Sequence, residues 1–354
     1  MEKSKVYFVS VLDKQEKRDI LAKFNRLLKA SAVLDFIRSG AKVALKLHFG
    51  EEGNTGFVKP EYVRAVSDMI KEKKALPVAV DTNTLYCGRR VKSEEHLLLA
   101  REHGFFLENI HAPVEIGCDK STEVVINKKY VKEAKISSFF NDVDALVDIA
   151  HFKGHIMTGF GGALKNIGMG CASREGKLAQ HSDLCPVVHK DSCIVCGHCV
   201  DVCPVKAISL NKDSAVIDQK LCIGCASCIA VCPKKAIDVK WESGSSTIQE
   251  KMVEYAFALL KGMSKPACFI NFALKITKEC DCLAKDDPSI CPDVGIFASS
   301  DPVAIDKACF DSVLKKSGED VFKKAHPERD ALRQLEYAQK LGLGSLDYEL
   351  AEIK

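Results

Sequence analysis

Cys193-Ile194-Val195-Cys196-Gly197-His198-Cys199-Val200-Asp201-Val202-Cys203-Pro204 is followed by a second run of the same design. That run is Cys222-Ile223-Gly224-Cys225-Ala226-Ser227-Cys228-Ile229-Ala230-Val231-Cys232-Pro233. Both read C-x2-C-x2-C-x3-C-P. Two x2 steps wrap a loop around three corners of a compact inorganic core, and the x3 step carries the fourth thiol away from it. The closing proline stops the next helix from growing backward. Zinc sites normally present two C-x2-C pairs, not two four-cysteine runs ending in Cys-Pro.

The spacing resembles that of two-cluster bacterial ferredoxins over roughly residues 188–240. The resemblance implies that Cys193, Cys196, Cys199 and Cys232 hold one [4Fe-4S] cluster. It gives Cys222, Cys225, Cys228 and Cys203 to the second, each fourth cysteine crossing over. Such a protein takes up and passes on single electrons, and needs a low-potential electron donor or a redox partner protein.

Outward from the runs, the 354 residues are enough for two α/β parts and a small insert. Hydrophobic residues make up 47% of the chain, and the net charge of +3 gives no argument for nucleic acid or a membrane as partner. There is no apolar stretch of about 18 residues, and Met1-Glu2-Lys3-Ser4-Lys5 runs straight into an apolar strand pattern. A cytoplasmic protein without signal peptide or membrane span is expected. The seventeen cysteines then point to a reducing compartment and metal ligation, and are compatible with an anaerobic host.

Strand patterns at Val6–Val11, Lys42–Phe49, Leu76–Asp81 and Asp144–Ala150 alternate with helical ones. Pro60 opens a helix to about Lys73, and Ser93 is expected to cap another. Beyond the cysteine runs, a linker at Gly244–Thr247 precedes a helix over Ile248–Gly262. Strands follow at Cys268–Ala273 and Val294–Ser299, then an Asp301-capped helix opening with Pro302, and a helix from Glu328 to about Leu341. This rhythm predicts an α/β fold: a two-part α/β body with parallel or mixed sheets, over 1–184 and 241–354, plus an inserted α+β two-cluster ferredoxin domain over 185–240.

Ligands in open α/β sheets sit beyond the carboxyl ends of strands. Lys46 and His48 close one predicted strand, on one face of it because they are two residues apart. Asp81 and Asn83 close another, leading to Arg89 and Arg90. The densest stretch runs from His151 to His181. It carries Lys153, His155, Lys165, Asn166, Arg174 and Lys177 among glycines that let a backbone approach a ligand and offer N–H groups to an anion. The expectation is a site for a small anionic substrate or cofactor. It has neither the P-loop nor the dinucleotide pattern.

Lys-Leu-His-Phe-Gly-Glu from Lys46, Asp-Thr-Asn-Thr-Leu-Tyr from Asp81, the Gly-His…Lys-Asn run from Gly154 and Asp-Pro-Val-Ala-Ile-Asp from Asp301 resemble the uncharacterised prokaryotic iron–sulfur centre proteins. Members of that family often carry an inserted two-cluster ferredoxin, and the resemblance brings no reaction with it. His155, Lys165 and His181 are also distantly similar to the His…Lys…His run of nickel-pincer lactate racemases. There the resemblance implies Lys165 as cofactor anchor, His181 as metal ligand and His155 as proton shuttle.

Nine cysteines lie outside the runs: Cys87, Cys118, Cys171, Cys185, Cys268, Cys280, Cys282, Cys291 and Cys309. Isolated cysteines are commonly small buried hydrophobes. Cys280-Asp281-Cys282 differs, with two thiols in a polar loop near Cys291. Cys171, Cys280, Cys282, Cys291 and His181 are therefore a candidate third metal site or cluster, with a redox dithiol as the alternative.

The reading is an iron–sulfur oxidoreductase passing electrons to an anionic substrate or cofactor in an α/β cleft. His155, His48 and Lys165 are its candidate catalytic groups. Lys46, Asp81, Asn83, Lys153, Asn166, Arg174 and Lys177 are its candidate binding groups. The alternatives are a non-catalytic electron carrier or maturation partner docking to a larger redox enzyme, and a racemase-like enzyme with structural clusters.

Overall fold

The computed structural model describes residues 3–86, 88–117, 120–181, 186–238 and 245–354. Cys87, Cys118, Cys185, Gly244 and both expected domain boundaries lie outside the described residues. Eight strands form one sheet: β1 (Ser4–Ser10), β2 (Lys42–Lys46), β3 (Leu76–Thr82), β4 (Val114–Gly117), β5 (Ala145–His151), β6 (Ala267–Ala273), β7 (Gly295–Ser299) and β8 (Tyr348–Glu352). Their spatial order is β8-β1-β7-β6-β5-β2-β3-β4. Only β7 runs antiparallel to its neighbours. The fold is mixed α/β, and strands from both sides of the cysteine runs interleave in one sheet.

Period-two alternation feeds a core on each face. On β5, Ala145, Val147 and Ile149 enter the core beneath the Lys17–Ser31 and Pro60–Glu72 helices. Leu146 faces the other core, shared with the Ala163–Gly170, Ser245–Phe257 and Pro302–Ser317 helices. After β4 the chain crosses to the opposite side of β2 to form β5. The strand order therefore reverses at β2, where α/β sheets open their ligand crevice.

Several local expectations change. β2 ends at Lys46, so His48 follows the strand instead of lying on it. Ser93 is the first helical residue and no side chain caps that helix; its hydroxyl accepts from Asn83 Nδ2 at 2.9 Å. The last helix is shortened to Arg333–Lys340. Asp301 caps its helix as expected, accepting from the N–H groups of Val303 and Ala304. No helix among the described residues is long and apolar enough to cross a membrane.

The cysteine-rich segment pairs Val187–Val188 with Ile237–Asp238 and Ile208–Leu210 with Ala215–Ile217. His198–Asp201 and Ser227–Val231 are its short helices. The two runs repeat one backbone path. Val195 and Gly197 are left-handed in the first (φ 55° and 83°), and Gly224 and Ala226 match them in the second (71° and 58°). Two non-glycine residues held there indicate a conformation imposed by the loop's task. The segment's small core also buries Leu85 and Leu178 from the body.

Candidate functional site

Two small cavities open inside the cysteine-rich segment. One is lined by Cys193, Cys196, Cys199 and Cys232, the other by Cys203, Cys222, Cys225 and Cys228. Each gathers three thiols of one run and the fourth of the other. The N–H groups of Ala207 and Ala236 donate to Cys203 and Cys232 Sγ, both at 3.2 Å, and Ala215 N–H donates to Cys193 Sγ at 3.4 Å. The eight thiols are free.

A larger cavity of about 360 Å³ lies beyond the carboxyl ends of β2 and β3. Of the residues expected at a ligand site, it is lined by Lys46, His48, Asp81, His155, Lys165, Asn166, Lys177 and His181, and Cys282 joins them. Asn83, Lys153, Arg174, Cys171 and Cys291 are not on its wall.

Their own contacts explain why. Asn83 is tied to Ser93, and its carbonyl accepts from Lys177. Arg174 Nη2 donates to the Val91 carbonyl. Lys153 Nζ lies 3.3 Å from Asp281 and donates to the His151 carbonyl at 2.8 Å. Cys171 is fully buried in the apolar core. Cys291 packs at the edge of that core, where burial lifts its thiol to about 11.

Lys46 is on the wall, but its three donors serve the scaffold. Nζ donates to the Leu47 carbonyl (2.9 Å), Asp81 (3.1 Å) and Asn166 Oδ1 (3.1 Å). Asn166 Nδ2 in turn donates to Asp148 Oδ1 at 2.8 Å, joining the ends of β2 and β5. Burial pushes the Asp81 carboxyl up, but the Lys46 ammonium and then the Arg90 guanidinium outweigh it and hold the group well below the ordinary carboxylate range.

The glycine-rich run works differently from the expectation. A Cβ on Gly170 would stand 2.5 Å from Lys46 Nζ, and one on Gly162 would stand 2.3 Å from Asp306 Oδ1. These glycines admit the protein's own charged groups. The first turn of the Ala163–Gly170 helix, which by its exposed N–H groups would suit an anion, already holds one. Asp306 accepts from the N–H groups of Ala163 at 2.8 Å and Leu164 at 3.0 Å. An anion in the cavity would therefore meet side chains rather than this helix end.

Two of them keep capacity for a ligand. His48 Nδ1 accepts from Gly50 N–H at 2.9 Å, which leaves the ring proton on Nε2. That Nε2 has no hydrogen-bond partner among the described residues. Burial, then Arg90, drives the His48 pKa well below 6.5, so it is a neutral donor on the wall. Lys165 Nζ donates to Cys280 Sγ at 3.3 Å. Burial disfavours its charge, but Cys280 and Cys282 prevail and raise its pKa.

Residues not among the sequence's site candidates complete the wall. Arg90 Nε bonds Glu51 at 3.0 Å and its Nη1 lies 3.4 Å from Asp81. Its Nη2 donates to the Tyr86 hydroxyl, which donates to the Cys282 carbonyl at 2.8 Å. Arg90 was visible as a basic residue after β3, but its partner Glu51 lies on another loop.

The Cys280–Cys282 loop is pinned through its middle residue. Asp281 is fully buried and meets His151 Nδ1 at 2.9 Å as well as Lys153. Burial raises its pKa, and His151 and Lys153 more than reverse that shift. Pinning Asp281 brings Cys280, Cys282 and His155 together, with one sulfur or nitrogen of each within 4.8 Å of the others. The expected five-residue metal set is thus replaced by a three-residue group. His181 lines the same cavity, and burial, then His155 and Lys165, lowers its pKa to about 3.

A family model described as "Domain of unknown function (DUF362)" matches residues 43–311, and the chain belongs to that family. No curated protein matches the sequence. Among solved structures the chain is similar to a lactate racemase apoprotein from Thermoanaerobacterium thermosaccharolyticum, at 11% identity and a TM-score of 0.38. That match covers 77% of this chain and 51% of the racemase chain. It is also similar to a protein from Thermotoga maritima at 11% identity and a TM-score of 0.43, covering 94% of this chain and 60% of that one. The chain thus spans about half to three-fifths of the structures it matches, and likenesses this slight carry no argument about function.

Proposed function

We propose that this protein is an iron–sulfur oxidoreductase in which two [4Fe-4S] clusters serve a small anionic substrate or cofactor in the β2–β3 cavity. One observation carries the reading: each thiol-lined cavity in the cysteine-rich segment collects the crossed set of four cysteines. The donor chemistry fits the group. Four thiols surround each void, backbone N–H groups point at the sulfurs, and the left-handed positions repeat in both loops. A lone tetrahedral zinc would draw its four sulfurs to about 3.8 Å of one another, given Zn–S bonds of about 2.3 Å. Among the described residues, the compact group within 4.8 Å is His155 with Cys280 and Cys282, not any three of these eight thiols. When bound, such clusters supply single electrons at potentials tuned by hydrogen bonds to sulfur.

The body's own residues would do the rest. Leu85 is buried in the cysteine segment's core and also lines the cavity, so the cavity wall and that core share a residue. Lys165 and Lys177 add positive charge to the wall, and His48 Nε2–H offers a hydrogen bond to an acceptor on the ligand. His155, neutral because burial and then Lys165 lower its pKa, would relay a proton.

Iron and sulfide analysis of anaerobically purified protein, with EPR during reduction, tests the reading. About eight irons per chain and two interacting cubane signals are expected. Stoichiometric zinc without inorganic sulfide would overturn it. A racemase-like reading keeps one observation, that His155, Lys165 and His181 line the same cavity. Full turnover in protein whose clusters cannot be reduced would favour it.

A further inference from the structure

We propose that Cys280 and Cys282 are a redox-active dithiol whose substrate is a small anionic disulfide. The donors around Cys280 Sγ carry the inference. Lys165 Nζ lies at 3.3 Å and the Cys282 N–H at 3.4 Å. The Cys282 thiol and the His155 imidazole stand close to it, with one sulfur or nitrogen of each within 4.8 Å of the others. His155 Nδ1 lies 3.2 Å from the Met157 N–H and 3.3 Å from the Thr158 N–H, both of which donate to it. The ring proton is then on Nε2, which leaves that nitrogen no lone pair for a metal. Two donors on one buried sulfur, one of them a lysine ammonium, favour its thiolate. Cys280 is 2% exposed, whereas Cys282 faces the cavity. The two sulfurs are within 4.8 Å of each other, near enough to join after a small rotation.

The roles follow from that placement. Cys282 passes its proton to the Cys280 sulfur and attacks the substrate RS–SR. A Cys282–SR bond forms, the substrate S–S bond breaks and RS⁻ leaves. The departing RS⁻ takes the proton from Cys280, whose thiolate attacks Cys282 Sγ and expels the second RS⁻. One disulfide is reduced and the Cys280–Cys282 disulfide is its oxidised counterpart. Lys165 and Lys177 on the cavity wall favour an anionic R group. Reopening the protein disulfide to the Cys280 thiolate and the Cys282 thiol takes one proton and two electrons, supplied one at a time by a one-electron donor; for that half alone the inference rests on the function proposed above.

The full chain, with thiols reduced by a phosphine that is then removed, is challenged with dithiobis-nitrobenzoate, a dianionic disulfide. The peptide spanning Cys280–Cys282 is read by mass spectrometry. Wild type should lose two hydrogens there. C280S should hold one probe moiety on Cys282, and C282S should do neither. Lys165→Gln should slow closure about tenfold or more, the loss of one charge-assisted hydrogen bond. No closure in wild type would overturn the proposal. So would a stoichiometric metal beyond the cluster iron that C282S releases. Closure that a reduced viologen fails to reopen would support the dithiol and count against electron delivery by the clusters.

Discussion

The cysteine-rich segment and the β2–β3 cavity build chemical sites by opposite means. In the segment, three cysteines of each set lie within one short run, and the repeated left-handed positions at Val195, Gly197, Gly224 and Ala226 shape the loop around them. In the cavity, Lys46, Asp81, Lys165 and Cys282 come from four separate parts of the chain. The first site is held by local backbone geometry. The second is held by buried ion pairs that fail when one partner is removed, because an uncompensated charge stays behind. Leu85 belongs to both, and the comparison can be broken there.

The largest effect is expected from Cys203→Ser. If the fourth cysteines cross, this change should remove about four irons per chain and the signal of the second-run site. The first-run site and the body's circular dichroism should be unaffected. Loss of the first-run signal instead would show that the sets do not cross. Next in size is Leu85→Ala, which should cost about 3 kcal/mol in denaturant unfolding, as for a large-to-small change in a core. It should also loosen the segment, seen as faster amide exchange at Ile229 and Ile237. An effect confined to the body would mean that the shared residue does not couple the two regions.

The smallest effect is a pH dependence. Burial lifts the Asp306 carboxyl to about 6, against backbone and Asn271 hydrogen bonds that lower it. The folded protein therefore binds this proton more tightly than the unfolded chain does. Its contribution to stability is complete below about pH 4 and is lost as pH rises through 6, by about 1–3 kcal/mol. Asp306→Asn should flatten that part of the stability profile in urea titrations. A profile unchanged by the substitution would show that Asp306 ionises normally.

Much of this was legible early. Apolar runs located β3, β5, β6 and β7, and the strand ends at Lys46 and Asp81 pointed to the crevice. The glycine-rich run was misread because its glycines accommodate Lys46 and Asp306, and no local pattern says which charge will approach a glycine. Arg90 and Asp281 were passed over for the same reason: their partners Glu51 and His151 lie elsewhere in the chain. The metal set around Cys280 was drawn too wide, since thiol count says nothing of whether Cys171 enters the core.

The sequence alone determined the α/β rhythm, the duplicated cysteine runs and the capped helix at Asp301, because each depends on neighbours a few residues apart. Only the tertiary structure decided that the chain on either side of the runs shares one sheet, that Asp306 occupies the helix end an anion would have taken, and that Asp281 sets two thiols against Lys165. Those outcomes depend on which distant groups the sheet order brings into contact, and burial then makes each contact strong enough to set charge and reactivity.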